Sequence, residues 1–242
     1  MTDVERTARD VVIANRILAL NKVLDAYGHV SIRHPERPDR YFLARSVSPA
    51  IVELDDVIEF NLDGSPIDPK ERREFYVERF IHGAVYEKRP DIKAAVHSHA
   101  DELLPFSISR NTPLRPVVHN AGNMGHHVPV WEIADKFGDE TTLLVTNMDQ
   151  GRDLAQCLDG NPVALMRGHG FVCVGRTINE LARLSVNILR NARVQLAAMQ
   201  MGDYKPLSRG EIEARLKLDP ETQVMKRGWE YWAREAGCGH LL

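Results

Sequence analysis

The sequence of 242 residues predicts a protein of the α/β class. Helical and strand-like periods alternate along the whole chain, and no repeat, low-complexity tract or change in composition divides it. Apolar residues make up 43% and charged residues 27% of the sequence, which is ordinary for a globular protein with one sizeable core. We therefore expect a single domain over residues 1–242, with a helical C-terminal extension from about residue 205.

The first half of the chain begins with a helix and continues with short strands. Apolar positions recur with a helical period over residues 4–26, and Gly28 stands where a helix-ending glycine is typical. Strand-like segments follow, the first two of them joined as a hairpin. They are 30–32, 41–44 and 57–62. A helical period over 74–88 ends at the Arg-Pro-Asp stretch 89–91, and the strand 92–99 comes next.

The second half of the chain alternates in the same way, and its last part is helical. The predicted elements, in order, are a short helix 101–107, a strand 114–119, a polar and glycine-rich loop 120–127, helical turns 132–136 and 149–158, a strand pair 163–166 and 171–174, a long helix 179–201, and two helices within 207–236.

Charge and cysteine content argue against several classes of protein. The formal net charge is −3, and no segment gathers the basic stripe that a nucleic-acid partner requires. The three cysteines are widely spaced, so a disulfide framework is not expected. The charged N-terminus has no apolar stretch behind it, and no apolar run reaches membrane-spanning length. We expect a cytoplasmic protein without a membrane segment.

Three histidines in apolar contexts are the strongest functional signal. His97 and His99 lie two residues apart in a predicted strand, so their side chains point to the same face. His169 follows another strand and stands between Gly168 and Gly170, which permit close backbone approach. A lone histidine in an apolar strand is more often a hydrogen-bonded core residue, so the residues alone leave both interpretations open.

Three neutral imidazoles would form a catalytic metal site rather than a structural one, because they leave coordination positions of the ion open. Imidazole ligands suit zinc, and manganese or iron are the alternatives. An ion with only neutral ligands keeps its full charge, which favours Lewis-acid chemistry on a carbonyl or enolate oxygen.

Glu78 is the candidate acid or base. It stands at the head of the predicted helix 74–88, and its neighbours Tyr76 and Phe80 indicate dry surroundings. Burial raises the pKa of a carboxyl group and a nearby metal lowers it, so such a group can carry a proton to a reacting carbon. The alternative is a solvated glutamate that stabilises the first helical turn. His82, on the same helix face, is expected to be a core histidine rather than a ligand.

Five stretches together resemble the class II aldolase/adducin family. In chain order they are similar to the family's early G-N-x-S loop, its catalytic glutamate, its R-P-D helix end, its H-x-H ligands and its third ligand turn. They are Gly28–Arg33, Glu78–His82, Arg89–Asp91, His97–His99 and Arg167–Gly170. The resemblance covers roughly residues 8–205.

This resemblance implies an α/β/α sandwich around a central, mainly antiparallel sheet, and commonly a homotetramer with active sites near subunit interfaces. It assigns His97, His99 and His169 to the metal and Glu78 to proton transfer, as in the family's aldolases. The family's epimerases carry an additional acidic metal ligand, which has no clear counterpart here.

The surrounding residues depart from the members that act on sugar phosphates. His29 stands in place of the asparagine of the early loop, and Tyr76–Val77 stands in place of a serine pair. A phosphate needs several small donors with close backbone approach, so we expect a substrate without phosphate. Arg45, with its neighbour Ser46, offers a planar fork for a carboxylate, although a surface arginine would give the same pattern.

His119, in the segment after the H-x-H strand, is a second candidate for substrate contact or proton transfer. With the aromatic C-terminal segment 229–232, these departures resemble the family's decarboxylase branch. Examples of that branch act on 3,4-dihydroxyphthalate or 2-hydroxy-3-carboxymuconic semialdehyde.

The sequence therefore predicts a metal-dependent carbon–carbon lyase, a decarboxylase of a non-phosphorylated, carboxylated small molecule. The metal would take up electrons, Glu78 would move a proton, and His29, Arg45 or His119 would orient the departing carboxylate. Three alternatives remain. They are an aldolase that cleaves an unphosphorylated hydroxy-keto acid, an iron-dependent oxygenase on the same scaffold, and an adducin-like interaction module, which the intact set of histidines disfavours.

Overall fold

The computed structural model describes all 242 residues, which form one seven-stranded sheet with helices on its two faces. The strands are β1 (His29–Arg33), β2 (Arg40–Ala44), β3 (Val57–Asn61), β4 (Ala94–Ser98), β5 (Val130–Trp131), β6 (Val163–Met166) and β7 (Gly170–Gly175). The helices are α1 (Asp3–Leu20), α2 (Arg79–Lys88), α3 (Leu104–Ile108), α4 (Ala134–Phe137), α5 (Met148–Leu158), α6 (Ile178–Met201), α7 (Arg209–Leu216) and α8 (Gln223–Glu235).

The strand order is β3-β2-β1-β4-β7-β6-β5. All neighbours are antiparallel except β5 and β6, which are parallel. Strand β4 is paired on both sides, with His97 opposite His29 of β1 and opposite Val172 of β7. The predicted sandwich around a mainly antiparallel sheet is confirmed. The H-x-H segment begins on β4, the central strand of the sheet.

Alternate residues of each strand supply two separate cores. On one face, Val96 of β4 and Phe171 of β7 pack with buried residues of α1, α6 and α8. On the other face, Ala95 and Val172 pack with buried residues of α2 and α5. Because side chains alternate along a strand, His97 faces the same side as Ala95, toward α2. None of the helices combines the length and apolar character needed to cross a membrane.

The first helix is shorter than predicted. It ends at Leu20 instead of continuing to residue 26, and Gly28 is not its C-terminal cap. Lys22 adopts a left-handed backbone conformation (φ 61°), and the amides of Val23 and Leu24 then donate to the Leu18 carbonyl. This sharp end turns Val23 and Leu24 back into the core, where both are almost fully buried.

Two other predicted elements differ from the structure. Helix α2 begins at Arg79 rather than near residue 74. The predicted strand 114–119 is not part of the sheet. The side-chain amides of Asn191 and Gln195 on α6 bind its backbone instead, at Arg115 and Val117 among other positions. These side chains satisfy groups that a neighbouring strand would otherwise bind.

Candidate active site

Four side chains converge at the ends of β4 and β7 and at the start of α2. Glu78, His97, His99 and His169 each offer one ligand atom, and these atoms lie within 4.8 Å of one another. The Nε2 atoms of His97 and His99 are 3.0 Å apart. The Oε2 atom of Glu78 lies 3.1 Å from Nε2 of His97, 3.4 Å from Nε2 of His169 and 4.0 Å from Nε2 of His99. We call these four residues the metal cluster.

The outer nitrogens of two histidines are anchored by acceptors, which fixes their ring orientation. Nδ1 of His97 donates to the Phe171 carbonyl (3.2 Å), and Nδ1 of His99 donates to the Asp25 carboxylate (3.1 Å). Since Nδ1 is the donor in both rings, each Nε2 presents a lone pair to the centre of the cluster when the ring binds a metal. Two lone pairs 3.0 Å apart repel each other unless a cation or a proton lies between them.

The donor set therefore fits a divalent cation. Three imidazole nitrogens converge, and each belongs to a histidine that is buried or only partly exposed. Zinc, iron and manganese all accept such ligands. Nδ1 of His169 is buried without a partner. The structure brings the three histidines together in one place, whereas their role as ligands and the identity of the ion stay proposals.

Glu78 stands at the N-cap position of α2, where its side chain makes no capping hydrogen bond, and it is 6% exposed. Its Oε1 accepts the backbone N–H of Val145 (2.9 Å), and its Oε2 is left to face the three imidazoles. Burial alone would raise the pKa of this carboxyl, but the charges and hydrogen bonds of His97 and His169 outweigh burial and lower it. Glu78 is therefore a carboxylate held by the Val145 amide at one oxygen and facing the imidazoles with the other.

Two glycines allow the strands to approach each other at the cluster. A Cβ added to Gly170 would lie 2.0 Å from the Ser98 carbonyl oxygen. A Cβ added to Gly28 would lie 3.0 Å from the His97 carbonyl oxygen. The glycine beside His169 is thus required by the pairing of β7 with β4, which places His169 next to His97.

His29 lies against the metal cluster. Its ring centroid is 5.4 Å from that of His97 and 4.5 Å from that of Tyr76, and the residue is 2% exposed. Burial, followed by the neighbouring charges of His82 and His97, holds the pKa of His29 well below its ordinary value. His82 is fully buried, makes no contact within the cluster and is a core histidine, as the sequence predicted.

The other predicted site residues are placed differently. Nε of Arg45 donates to Asp56 (2.6 Å), so its charge is already paired. Ser46 is exposed on the segment after β2, and its amide donates to the Glu74 carbonyl. His119 lines a separate cleft between α6 and α8, which none of the cluster residues lines. That cleft also contains four arginines, Arg183, Arg190, Arg193 and Arg227.

Asp25 is the site residue that the sequence analysis missed. It accepts the amides of Tyr27 and Gly28 and the Nδ1–H of His99. Its signal is an Asp-x-x-Gly turn directly before β1. Because His29 pairs with His97 in an antiparallel register, the turn before His29 lies next to His99. The role of Asp25 could therefore be predicted only once this strand pairing is known.

The family model of the class II aldolase and adducin N-terminal domain matches residues 9–196. The chain belongs to this family. It is 36% identical to the decarboxylase tropJ of Talaromyces stipitatus over 93% of this chain and 92% of that protein. It is 26% identical to the 3,4-dihydroxyphthalate decarboxylase of Arthrobacter keyseri over 78% of this chain and 77% of that protein.

A crystal structure of an aldolase II superfamily protein from Pseudomonas syringae has the same fold. The two structures superpose with a TM-score of 0.80 at 19% sequence identity, covering 100% of this chain and 96% of the other. The family and its homologous decarboxylases confirm the expectation of an enzyme of the lyase class. The class II aldolase family uses a divalent metal, and the metal cluster is the place in this chain that could bind one.

Proposed function

We propose that this enzyme decarboxylates a non-phosphorylated, carboxylated aromatic or ring-cleavage acid. The observation that carries the proposal is the convergence of one anchored carboxylate, Glu78, with three inward-facing imidazole nitrogens. The names of the homologous decarboxylases support the same reaction class. His97, His99 and His169 would hold the metal through their Nε2 atoms, with zinc as the expected ion and manganese or iron as alternatives.

A divalent ion at this place supplies an electron sink for negative charge on a substrate oxygen next to the bond that breaks. The protein's part is to move one proton. Because Glu78 is ionised, it acts first as a base and takes the proton of a substrate hydroxyl on Oε2. It then delivers this proton to the ring carbon that carries the carboxylate.

The proposed reaction balances with Glu78 unchanged. The electron pair of the bond between the ring carbon and the carboxylate remains on the ring, carbon dioxide leaves, and the proton taken from the hydroxyl ends on the carbon. The hydroxyl is left as an oxyanion, and Glu78 returns to its ionised form. The Val145 amide holds Oε1 throughout, so a single oxygen shuttles the proton.

The surroundings of His29 favour a carboxylate over a phosphate. The Tyr76 ring packs on His29, and its hydroxyl donates to the Val47 carbonyl, so it is not available to a ligand. Buried aromatic bulk thus stands where a phosphate would need several small donors. We also propose the homotetramer, within which His119, Arg45 and Ser46 remain candidates for substrate contacts.

The test uses purified protein loaded separately with zinc, manganese or iron(II). Release of carbon dioxide is measured from a series of catechol carboxylates, including 3,4-dihydroxyphthalate. Glu78→Gln should bind metal as the wild type does and lose about 10²- to 10⁴-fold in single-turnover rate, the usual contribution of general acid–base catalysis. Glu74→Gln is the matched control, because Glu74 is exposed and lies outside the cluster.

Three results would contradict the proposal. Near wild-type single-turnover rates in Glu78→Gln would remove Glu78 from the reaction. An aldehyde fragment from a hydroxy-keto acid, without carbon dioxide from any carboxylated substrate, would identify an aldolase on the same cluster. Oxygen consumption with iron(II) would identify an oxygenase.

A further inference from the structure

A buried chain of hydrogen bonds runs from His29 away from the metal cluster. Nδ1 of His29 lies 2.6 Å from Nε2 of His82, and Nδ1 of His82 lies 2.6 Å from Oγ of Ser31. Oγ of Ser31 lies 2.8 Å from the hydroxyl of Tyr86. All four residues are at most 2% exposed. We call them the histidine chain, and the reaction proposed above makes no use of its last three members.

The positions of these residues follow from simple periodicities. His29 and Ser31 are two apart on β1, so both side chains face α2. His82 and Tyr86 are four apart on α2, so both face the sheet. The chain is therefore a feature of the packing of α2 on β1, and its protons can be assigned by counting donors and acceptors.

The hydrogen bonds can point in two directions. In the first, Tyr86 donates to Ser31, Ser31 donates to Nδ1 of His82, and Nε2–H of His82 donates to Nδ1 of His29. In the second, every bond is reversed, and the proton of the Tyr86 hydroxyl has no acceptor, because Ser31 is the only side chain bonded to it and the backbone contact at Ala95, which lowers the Tyr86 pKa, is a donor. A buried hydroxyl without an acceptor is costly, so the first direction is preferred by about tenfold or more.

A positive charge at the far end favours the same direction. The guanidinium of Arg33 lies over the Tyr86 ring, 4.7 Å from its centroid, and Arg33 is 4% exposed. Bonds that point their hydrogens away from this cation are stabilised by its charge, and the first direction has this polarity.

Both imidazoles of the chain are neutral. In the first direction each of these rings accepts a hydrogen bond at Nδ1, which leaves room for one ring proton only, and burial also lowers the pKa of His82 to about 3. With Nδ1 of His29 occupied as an acceptor, a neutral His29 must carry its proton on Nε2. That nitrogen has no partner in the chain, and it is not one of the buried polar atoms that lack a partner, so solvent can accept its proton until a ligand does.

We propose that His82, Ser31 and Tyr86 are positioning residues that fix His29 as a neutral Nε2–H donor, and that the subsite beside the metal cluster therefore selects a hydrogen-bond acceptor, which in the proposed reaction is an anionic oxygen. This inference rests on the proposed function, since the anion would be the substrate carboxylate or a phenolate. A ligand group that can only donate a hydrogen bond meets a second donor there and is disfavoured.

Nitrogen-15 NMR of imidazole-labelled protein tests the proton positions without any substrate. Spectra are recorded on chelator-treated and on zinc-loaded protein, and the His29 and His82 signals are assigned by comparison with His29→Gln and His82→Gln. Both residues should be neutral and protonated at Nε2 in both samples. A proton on Nδ1 of His29, or a doubly protonated ring at pH 7, would overturn the proposal.

Three variants distinguish a directed chain from simple packing. Tyr86→Phe leaves Ser31 as the end of the chain, and a terminal hydroxyl must still donate, so the His29 proton should stay on Nε2. Ser31→Ala leaves an imidazole as the end, which can either donate or accept, so a mixture of His29 forms should appear. Ser31→Thr restores the hydroxyl and should restore the single form. An unchanged spectrum in Ser31→Ala would refute the directed chain.

A binding measurement tests the anionic ligand separately, with 3,4-dihydroxybenzoate as the probe of zinc-loaded protein. His29→Phe removes the donor and should weaken binding about tenfold or more, as is usual for a hydrogen bond to a charged group. Tyr41→Phe is the control, because it removes a buried polar group on the same face that lies outside the chain. If the NMR result holds but His29→Phe binds normally, the carboxylate subsite fails while the proton assignment stands.

Discussion

Replacing Asp25 by asparagine tests whether the residue that holds His99 also controls metal affinity. In the wild type, Oδ1 of Asp25 accepts the amides of Tyr27 and Gly28 at 2.9 and 2.8 Å, and Oδ2 accepts the Nδ1–H of His99 at 3.1 Å. In Asp25→Asn, the remaining oxygen can still serve the two amides. The new NH₂ group then faces the Nδ1–H of His99, so two donors meet.

His99 can relieve this conflict only by moving its proton to Nε2, which removes the lone pair needed for the metal. Loss of such an outer partner typically lowers metal affinity 10- to 100-fold. The Asp25 side chain is 44% exposed, so solvent screens its charge and the lower end applies. We expect about a tenfold loss, equivalent to about 1.4 kcal/mol.

The measurement is a competitive zinc titration against a chromophoric chelator. Asp101→Asn is the matched control, because it makes the same change of charge two residues from His99, at an exposed position with no contact to that ring. Zinc affinity of Asp25→Asn within twofold of the wild type would refute the role of the carboxylate. A folded protein by circular dichroism is required for both variants.

Two further outcomes concern stability. Gly170→Ala would place a Cβ 2.0 Å from the Ser98 carbonyl oxygen, so it should weaken the β4–β7 pairing, lower the melting temperature and reduce zinc binding. Gly160→Ala is the control, because a Cβ there meets open space and should change neither the melting temperature nor zinc binding. Equal melting temperatures of the two variants would contradict this prediction. The pKa of His82 is lowered from 6.5 to about 3 in the folded protein, so as the pH falls the unfolded chain is protonated at His82 before the folded protein is. The contribution of neutral His82 to stability is therefore complete above pH 6.5 and is lost as the pH falls toward 3. Urea unfolding at several pH values should show that this residue lowers the free energy of unfolding by about 1.4 kcal/mol per pH unit below pH 6.5. His82→Gln should lack this part of the slope. Equal slopes in the two proteins would contradict the reasoning.

Most of the metal cluster could be predicted from the sequence, because the patterns that indicate its histidines are short and local. An H-x-H pair in a strand needs only the period of two, and the glycine-flanked His169 needs only a close turn. The place of Glu78 was harder to predict from the sequence, because its helix begins only at Arg79 and its carboxylate is held by Val145, which is distant in the sequence. Such a contact depends on how α2 and α5 pack, which the sequence does not state.

The remaining differences have the same origin in tertiary contacts. Arg45 has the chemistry of a carboxylate fork, but the return of the chain through a short helical turn places Asp56 beside it. The stretch 114–119 has the composition of a strand, but the amide side chains of α6 occupy its backbone. Asp25 reaches His99 only because β1 and β4 are neighbours in this register.

The three histidines of the metal cluster and Glu78 lie on parts of the protein that are held by different contacts. His97 belongs to the doubly paired strand β4, His99 directly follows β4, and His169 directly precedes β7. Glu78 lies at a helix start reached through the long segment between β3 and α2, with its second support in the segment before α5. Replacement of these two segments would therefore change the surroundings of Glu78 while the three histidines of the metal cluster stay in place. This separation makes the chain suited to the engineering of new carbon–carbon bond cleavage.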